Sequence, residues 1–355
     1  MAVDLRRRDF LDRASRISLG AMLGLPGLIS SVLPAIADPS VLKITHFGGP
    51  YQILGDIIAK PYDQATHEKI TYDVEISPSA VAKIQTQKSD PPFDVVMLSR
   101  AWGLRALRTG LLMRIAASEF PEAAHVLPDI VPAGGWGVGT ILDTIDLMVD
   151  TNQIKAPVTS WLDLWRGDMK GKIMLPAAVN GATAMGFFVC LVRAIGGDIK
   201  SEAAVNEAFA RLKALKPAVR SFFSDGAQPN LLIERGDIAV APQFGIRIVN
   251  TTLKIPSIIK ATPKEGVLAV PYDLCIPVNC RNAMAAKAYI NFTLTKPIQE
   301  SMVTKLLATP VRDDVAIPAS IAPLVKSDRI FFQDEEYAAM KQREWLDRYT
   351  REVQA

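Results

Sequence analysis

An α/β fold of two doubly wound lobes joined by a two-segment hinge is the architecture this sequence predicts. Three observations carry that expectation. Strand-like alternation and helix-like spacing follow one another as β-α-β-α-β between Val41 and Trp102. A second run of the same kind occupies roughly 143 to 273. Two extended apolar stretches, near 140 and near 272, carry the chain out of the first unit and back again, and a pair of crossings of that sort permits closure by a hinge.

Taken in order, Val41 to Phe47 alternates as a strand, and the apolar spacing of Ile53, Leu54, Ile57 and Ile58 predicts a helix after it. Between them Gly48 and Gly49 let the backbone approach a ligand beyond the strand's carboxyl end, where open α/β sheets hold their ligands. Phe47 and Tyr51 flank those glycines with aromatic surface. Ile70 to Ile76 is a second strand, Ser77-Pro78 starts a helix that runs to about Lys88, and Asp94 to Leu98 is a short buried strand ending at Ser99-Arg100-Ala101-Trp102. The run GGWGVG lacks the register of a dinucleotide fingerprint, so Trp136 to Asp150 reads as a long strand passing between lobes.

In the second unit, Thr159 to Trp165 reads as a capped helix and Lys172 to Leu175 as a strand. The small-residue turn from Pro176 leads into a helix, Ala184 to Ile195, with Asn180 and Thr183 at its mouth. Helix Glu202 to Leu215 follows, then a turn at Phe222-Phe223-Ser224-Asp225-Gly226, helix Pro229 to Arg235, and a strand Ile238 to Ala241 that ends at Pro242-Gln243-Phe244-Gly245. Arg247 reads as a solvated helix residue, and Asp225 and Asp273 as turn or capping carboxylates as well as candidates for ligand contact. Lys264 to Asn279 is extended and returns to the first lobe; helices then cover Asn282 to Thr295, a segment from Pro297, and Phe332 to Val353. The expected division is 1–37 leader, 38–142 first lobe, 143–273 second lobe, and 274–355 return to the first lobe with the C-terminal helices.

Composition narrows the function. The chain has 355 residues, 49% of them hydrophobic, enough for a large core and about two domains. Arg7-Arg8, an apolar segment from Ile17 to Val32 and Ala35-Ile36-Ala37 stand in the order of an export leader cleaved near Ala37. The arginine pair is similar to a twin-arginine signal, with Asp12 where that signal usually has lysine, so Sec export stays open. No cysteine adjoins the cleavage site, and the expected location is free in the periplasm. The leader carries five Arg and three Asp, so the formal charge of +3 falls to +1 without it, no footprint for nucleic acid. Cys190, Cys275 and Cys280 match no zinc spacing; buried free thiols are expected, with a Cys275 to Cys280 bridge the alternative. No nucleophile or general-base motif surrounds His46, His67 or His125, which leaves no catalytic residue, metal or cofactor to name and disfavours an exported enzyme.

The segments HFGGPYQ (46–52), FDVVMLS (93–99), VTSWLDLW (158–165), GDIAVAPQ (236–243) and LCIPVNCRNAMAAKAYINFTL (274–294) together resemble periplasmic solute-binding proteins of the type II fold. The branch is the one holding spermidine/putrescine, thiamine, phosphonate and ferric-ion receptors of ABC importers. The resemblance implies a small solute held between the lobes, an inner-membrane ABC permease as partner, and a monomer. For a polyamine, the leading expectation, it implies an aromatic cage; Phe47, Tyr51, Trp102 and Phe244 stand at the matching loops. On the return strand, where polyamine receptors carry an aromatic and then an aspartate, Val270 and Tyr272 take those places and Asp273 stands one residue along, a shift that turns a strand side chain to the other face. Ferric receptors carry adjacent tyrosines where this chain has Phe244-Gly245, which disfavours iron. Thiamine, a phosphonate or another small organic solute stays open, with Ser99, Arg100, Asn180, Thr183 and Gln243 as polar contacts and Arg100 as the group to meet an anion.

Overall fold

The computed structural model describes residues 41–327 and 329–355. The expected export leader and its cleavage near Ala37 lie outside them.

Strand β1 (Leu42–His46) runs through the glycine loop into a 3-10 turn, Gly49–Ile53, a π turn, Gly55–Ala59, and helix α1 (Lys60–Thr66). The single helix expected there is broken because Pro61 has no N–H to offer the carbonyl four residues back, and the winding loosens before it. Strand β2 (Ile70–Val74), helix α2 (Ser77–Thr86), strand β3 (Val96–Ser99) and helix α3 (Arg100–Arg108) complete the first unit. The long strand β4 (Val138–Asp150) is buried at all of its positions. The second unit holds β5 (Ile173–Pro176), α4 (Gly181–Ala194), α5 (Glu202–Leu215), β6 (Val219–Phe223), α6 (Gln228–Glu234), β7 (Val240–Phe244), α7 (Gly245–Thr252) and β8 (Ile258–Ala261). Strand β9 (Val267–Cys275) returns, followed by α8 (Ala283–Thr293), α9 (Lys296–Ser301), α10 (Ala322–Val325), β10 (Ile330–Phe331) and α11 (Glu335–Tyr349).

The two halves repeat one plan. β2 and β1 are parallel, β1 is bridged in parallel to Val95 at the head of β3, and β3 pairs antiparallel with β9. In the other half β6, β5 and β7 are parallel and β7 pairs antiparallel with β4. Each half is therefore three parallel strands closed by the antiparallel strand that arrives from the other half. β4 and β9 run side by side from Val138 opposite Leu274 to Ile145 opposite Leu268, which makes the sheet mixed and continuous through the crossing.

Most apolar residues of β4 divide between two cores, while Met148 joins Phe223 and Ile238 in a smaller one. Ile141 and Leu142 join Leu42, Ile44, Tyr272 and Leu274 in the first, whereas Ile145, Leu147 and Val149 join Trp161, Phe187 and Phe188 in the second. Phe244 and Val270 touch both cores. Helices α8 and α9 pack into the first core; Trp345 and Tyr349 of α11 pack into the second, where Trp345 lies 5.3 Å from Phe188 and the Tyr349 hydroxyl donates to the Pro176 carbonyl at 3.0 Å. The helix expected at Thr159 to Trp165 is a single 3-10 turn, Trp161–Trp165, capped by Ser160 and pinned by Trp161 Nε1 donating to the Gly266 carbonyl. All three cysteines are free; Cys190 and Cys275 are buried and Cys280 is half-buried.

Candidate functional site

The loop that ends β1 is shaped by its glycines. Gly48 and Gly49 hold φ of 70° and 57°, in the left-handed region, and a Cβ at Gly48 would stand 2.8 Å from Val74 Cγ1. This turn brings Phe47 and Tyr51 onto β9. The Phe47 ring lies 4.9 Å from Tyr272 and 5.8 Å from Tyr51, both edge-on, and Phe244 at the end of β7 lies 6.3 Å from Tyr272. Four aromatic rings, from the first half, the crossing strand and the second half, thus converge. Tyr51 and Tyr272 are buried, while Phe47 and Phe244 keep part of their rings exposed.

Beneath the rings is Asp143 of β4. Its carboxylate accepts from Tyr51 Oη at 3.1 Å, Tyr272 Oη at 3.4 Å, and the backbone N–H groups of Thr144 and Ile246 at 2.8 and 3.0 Å. Burial pushes its pKa up to about 6, against the pull of those donors and with Asp146 adding to the rise. The same burial raises the Tyr51 and Tyr272 hydroxyls well above the usual range for tyrosine. Asp143 thereby ties the first loop, the return strand and the start of α7 to one point.

Arg247, expected as a solvated helix residue, is half-buried and reaches back over this cluster. A Cβ placed at Gly49 would lie 3.2 Å from its Nη1, and one at Gly226 3.3 Å from its Nε. Asp143 and Arg247 are the two groups that sequence reasoning missed. Asp143 is hidden in an apolar run, where a strand interior is the default reading. The signal for Arg247 was present in the short spacing between the Phe244 strand end and a charged residue.

The remaining expected residues sit elsewhere or are already engaged. Asp273 leaves the opposite face of β9 from Tyr272 and is fully buried. Both its oxygens accept from Arg100, at 3.2 Å from Nε and 2.9 Å from Nη2, and the rest of the guanidinium donates to the carbonyls of Asp129 and Ile130. Burial raises the Asp273 pKa and Arg100 pulls it down. Neither charge of this pair is left over for a ligand. Removing either partner would strand a buried charge, a loss of about 3 to 5 kcal/mol.

Ser99, Arg100, Trp102 and Gly181 line a cavity of about 60 Å³ beneath α11, with Val270 and Glu335. Asn180 accepts from the Thr183 hydroxyl at 3.1 Å at the mouth of α4, where Gly181 faces Leu346 of α11. Gln243 is buried and supports the second loop: its Nε2 donates to the Gly226 carbonyl and to Asn230, and its Oε1 accepts from Phe244 N. Asp225 is exposed and caps Ala227 N at 2.7 Å. The structure therefore unites Phe47, Gly48, Gly49, Tyr51, Phe244 and Tyr272, with Gln243 behind them, and separates Ser99, Arg100, Trp102 and Asp273.

Among the described residues, His125, Asp313 and Asp314 place their ligand atoms within 4.8 Å of one another. Two of the three are exposed, and Asp314 is already held by Arg312 at 2.7 Å.

With that geometry described, the comparisons are consistent in kind. A family model of bacterial extracellular solute-binding proteins matches residues 58–333. The spermidine/putrescine-binding periplasmic protein of Escherichia coli K12 is 26% identical over 300 residues, which cover 81% of this chain and 82% of that protein. An ABC transporter substrate-binding protein from Bradyrhizobium japonicum superposes with a TM-score of 0.76 at 18% identity, covering 89% of this chain and 100% of that one. The spermidine/putrescine transporter substrate-binding protein of Streptococcus pneumoniae gives 0.70 at 14% identity, over 87% of this chain and 98% of its own.

Proposed function

Because the chain belongs to the bacterial extracellular solute-binding proteins, we propose that it is the substrate-binding component of an ABC transporter and that the solute it captures is a small organic amine, of the kind spermidine and putrescine exemplify. The observation that carries this reading is the convergence of Phe47, Tyr51, Phe244 and Tyr272 over Asp143 where the two halves meet. Aromatic faces attract an ammonium group by about 0.5 to 2 kcal/mol per contact. The polyamine-binding relative supports the same class.

The halves divide near residues 142 and 273, so that β4 and β9 are the hinge. A solute that touches Phe47 on one half and Phe244 on the other makes both contacts only when the halves are closed, and it shifts the population to that state. The closed form is what the permease receives. The protein works as an exported monomer after its leader is cut near Ala37.

Thermal-shift screening of the mature protein against spermidine, putrescine, thiamine, phosphonates and amino acids tests the reading. A true ligand at about 100 times its dissociation constant adds roughly 2.7 kcal/mol. A flat response to every amine in the panel overturns it, and turnover of any of them by the purified protein would make it an enzyme instead.

A further inference from the structure

Among the described residues, the arginine at the aromatic cluster is without a counter-ion. Arg247 is the third residue of α7, and its backbone carbonyl accepts from Asn230 and Thr251. Its guanidinium, by contrast, makes no hydrogen bond or ion pair among the described residues. A guanidinium has five N–H donors, and Arg100, the other arginine near the crossing, has its own engaged by Asp273 and two carbonyls. Asp143, beneath the rings, is also satisfied, by two tyrosine hydroxyls and two backbone N–H groups.

The fold makes room for this guanidinium from both halves. Gly49, in the first loop, and Gly226, in the loop before α6, each present a bare backbone within van der Waals reach of it. Gly49 also needs glycine for its φ, but Gly226 does not lie in the left-handed region. At Gly226 a side chain would crowd the Arg247 guanidinium. The charge also reaches the rings: Arg247 opposes the rise in pKa of the Tyr51 and Tyr272 hydroxyls. A half-buried, unpaired guanidinium has lost part of its water without gaining an acceptor, and an oxyanion supplies that acceptor bidentately.

We infer that Arg247 takes an oxyanion group of the solute, so that the captured molecule is a zwitterion, an amine that also carries a carboxylate or a phosphonate. This rests on the amine reading above and narrows it: the aromatic rings take the ammonium end and Arg247 takes the acid end. A diamine would put a second positive charge beside Arg247 and is disfavoured for that reason.

Calorimetric titration of the mature protein with 5-aminopentanoate, 3-aminopropylphosphonate, 1,4-diaminobutane and spermidine tests it. At least one of the two acid-bearing amines binds about tenfold or more tightly than either polyamine, and which of the two does so distinguishes carboxylate from phosphonate. Arg247→Ala weakens that solute by about 10- to 150-fold, Arg247→Lys by less, and both variants keep the wild-type melting temperature. If the polyamines bind as tightly as the acid-bearing amines, or if Arg247→Ala leaves their affinities unchanged, the oxyanion inference is overturned while amine capture stands. If no member of the panel binds, both readings fall together.

Discussion

Glu335 opens α11 beside the Arg100–Asp273 pair, and burial pushes its carboxyl up to about 7 while Arg100 and Gln333 pull it down and Asp273 and Asp334 add to the rise. A carboxyl whose folded pKa exceeds its unfolded value of about 4.5 binds its proton more tightly in the native state. Its contribution to stability is complete below pH 4.5 or so and is lost as pH rises through about 7. Glu335→Gln removes this titration. The melting temperature of the wild type, measured from pH 4.5 to 8, should fall relative to that of the variant by a few degrees; parallel curves would refute the assignment. Asp143, raised to about 6, stays in both proteins and leaves a shared slope. At this scale the sequence disclosed the residues that strand ends and glycines advertise: Phe47, Gly48, Gly49, Tyr51, Phe244 and Tyr272. It did not disclose which charges are free, since Arg100 was expected to meet a ligand and is neutralised by Asp273.

Among the elements, α3 shows how close packing overrides local propensity. Alanine in place of glycine within a helix is normally worth about 1 kcal/mol. A Cβ at Gly103, however, would stand 2.0 Å from Cζ3 of Trp136, a fully buried ring whose Nε1 donates to the Ala133 carbonyl. Gly103→Ala should therefore lower unfolding free energy in urea by about 1 to 3 kcal/mol, whereas Gly55→Ala, which meets nothing within 4 Å, should not. Equal stability of the two variants would contradict the packing of α3 on Trp136. Long periodic segments such as β4, α4 and α5 were legible along the chain. β8 was not, because four residues are too few to establish a period, and its pairing with β4 is what holds it in the sheet.

For the whole molecule the decisive feature is that both crossings are strands of one ladder. β4 gives Ile141 and Leu142 to one core and Ile145, Leu147 and Val149 to the other, so the proposed hinge would bend the ladder between the two. Addition of a solute found by thermal shift should reduce the radius of gyration measured by small-angle X-ray scattering. An unchanged radius in the presence of saturating solute would remove the hinge from the mechanism.

Read along the chain, alternation and helical spacing determined that strands and helices succeed one another in two units, and that two extended segments connect them. Those patterns are local, set by which neighbours a side chain shares a face with, and a linear reading reaches them. Tertiary structure alone decided the electrostatics of the site. Arg100 finds Asp273 across 173 positions, Tyr51 finds Asp143 across 92, and Arg247 is left without an ion pair among the described residues. A charge is free or paired according to what folding brings beside it, and that depends on distances no spacing in the sequence records.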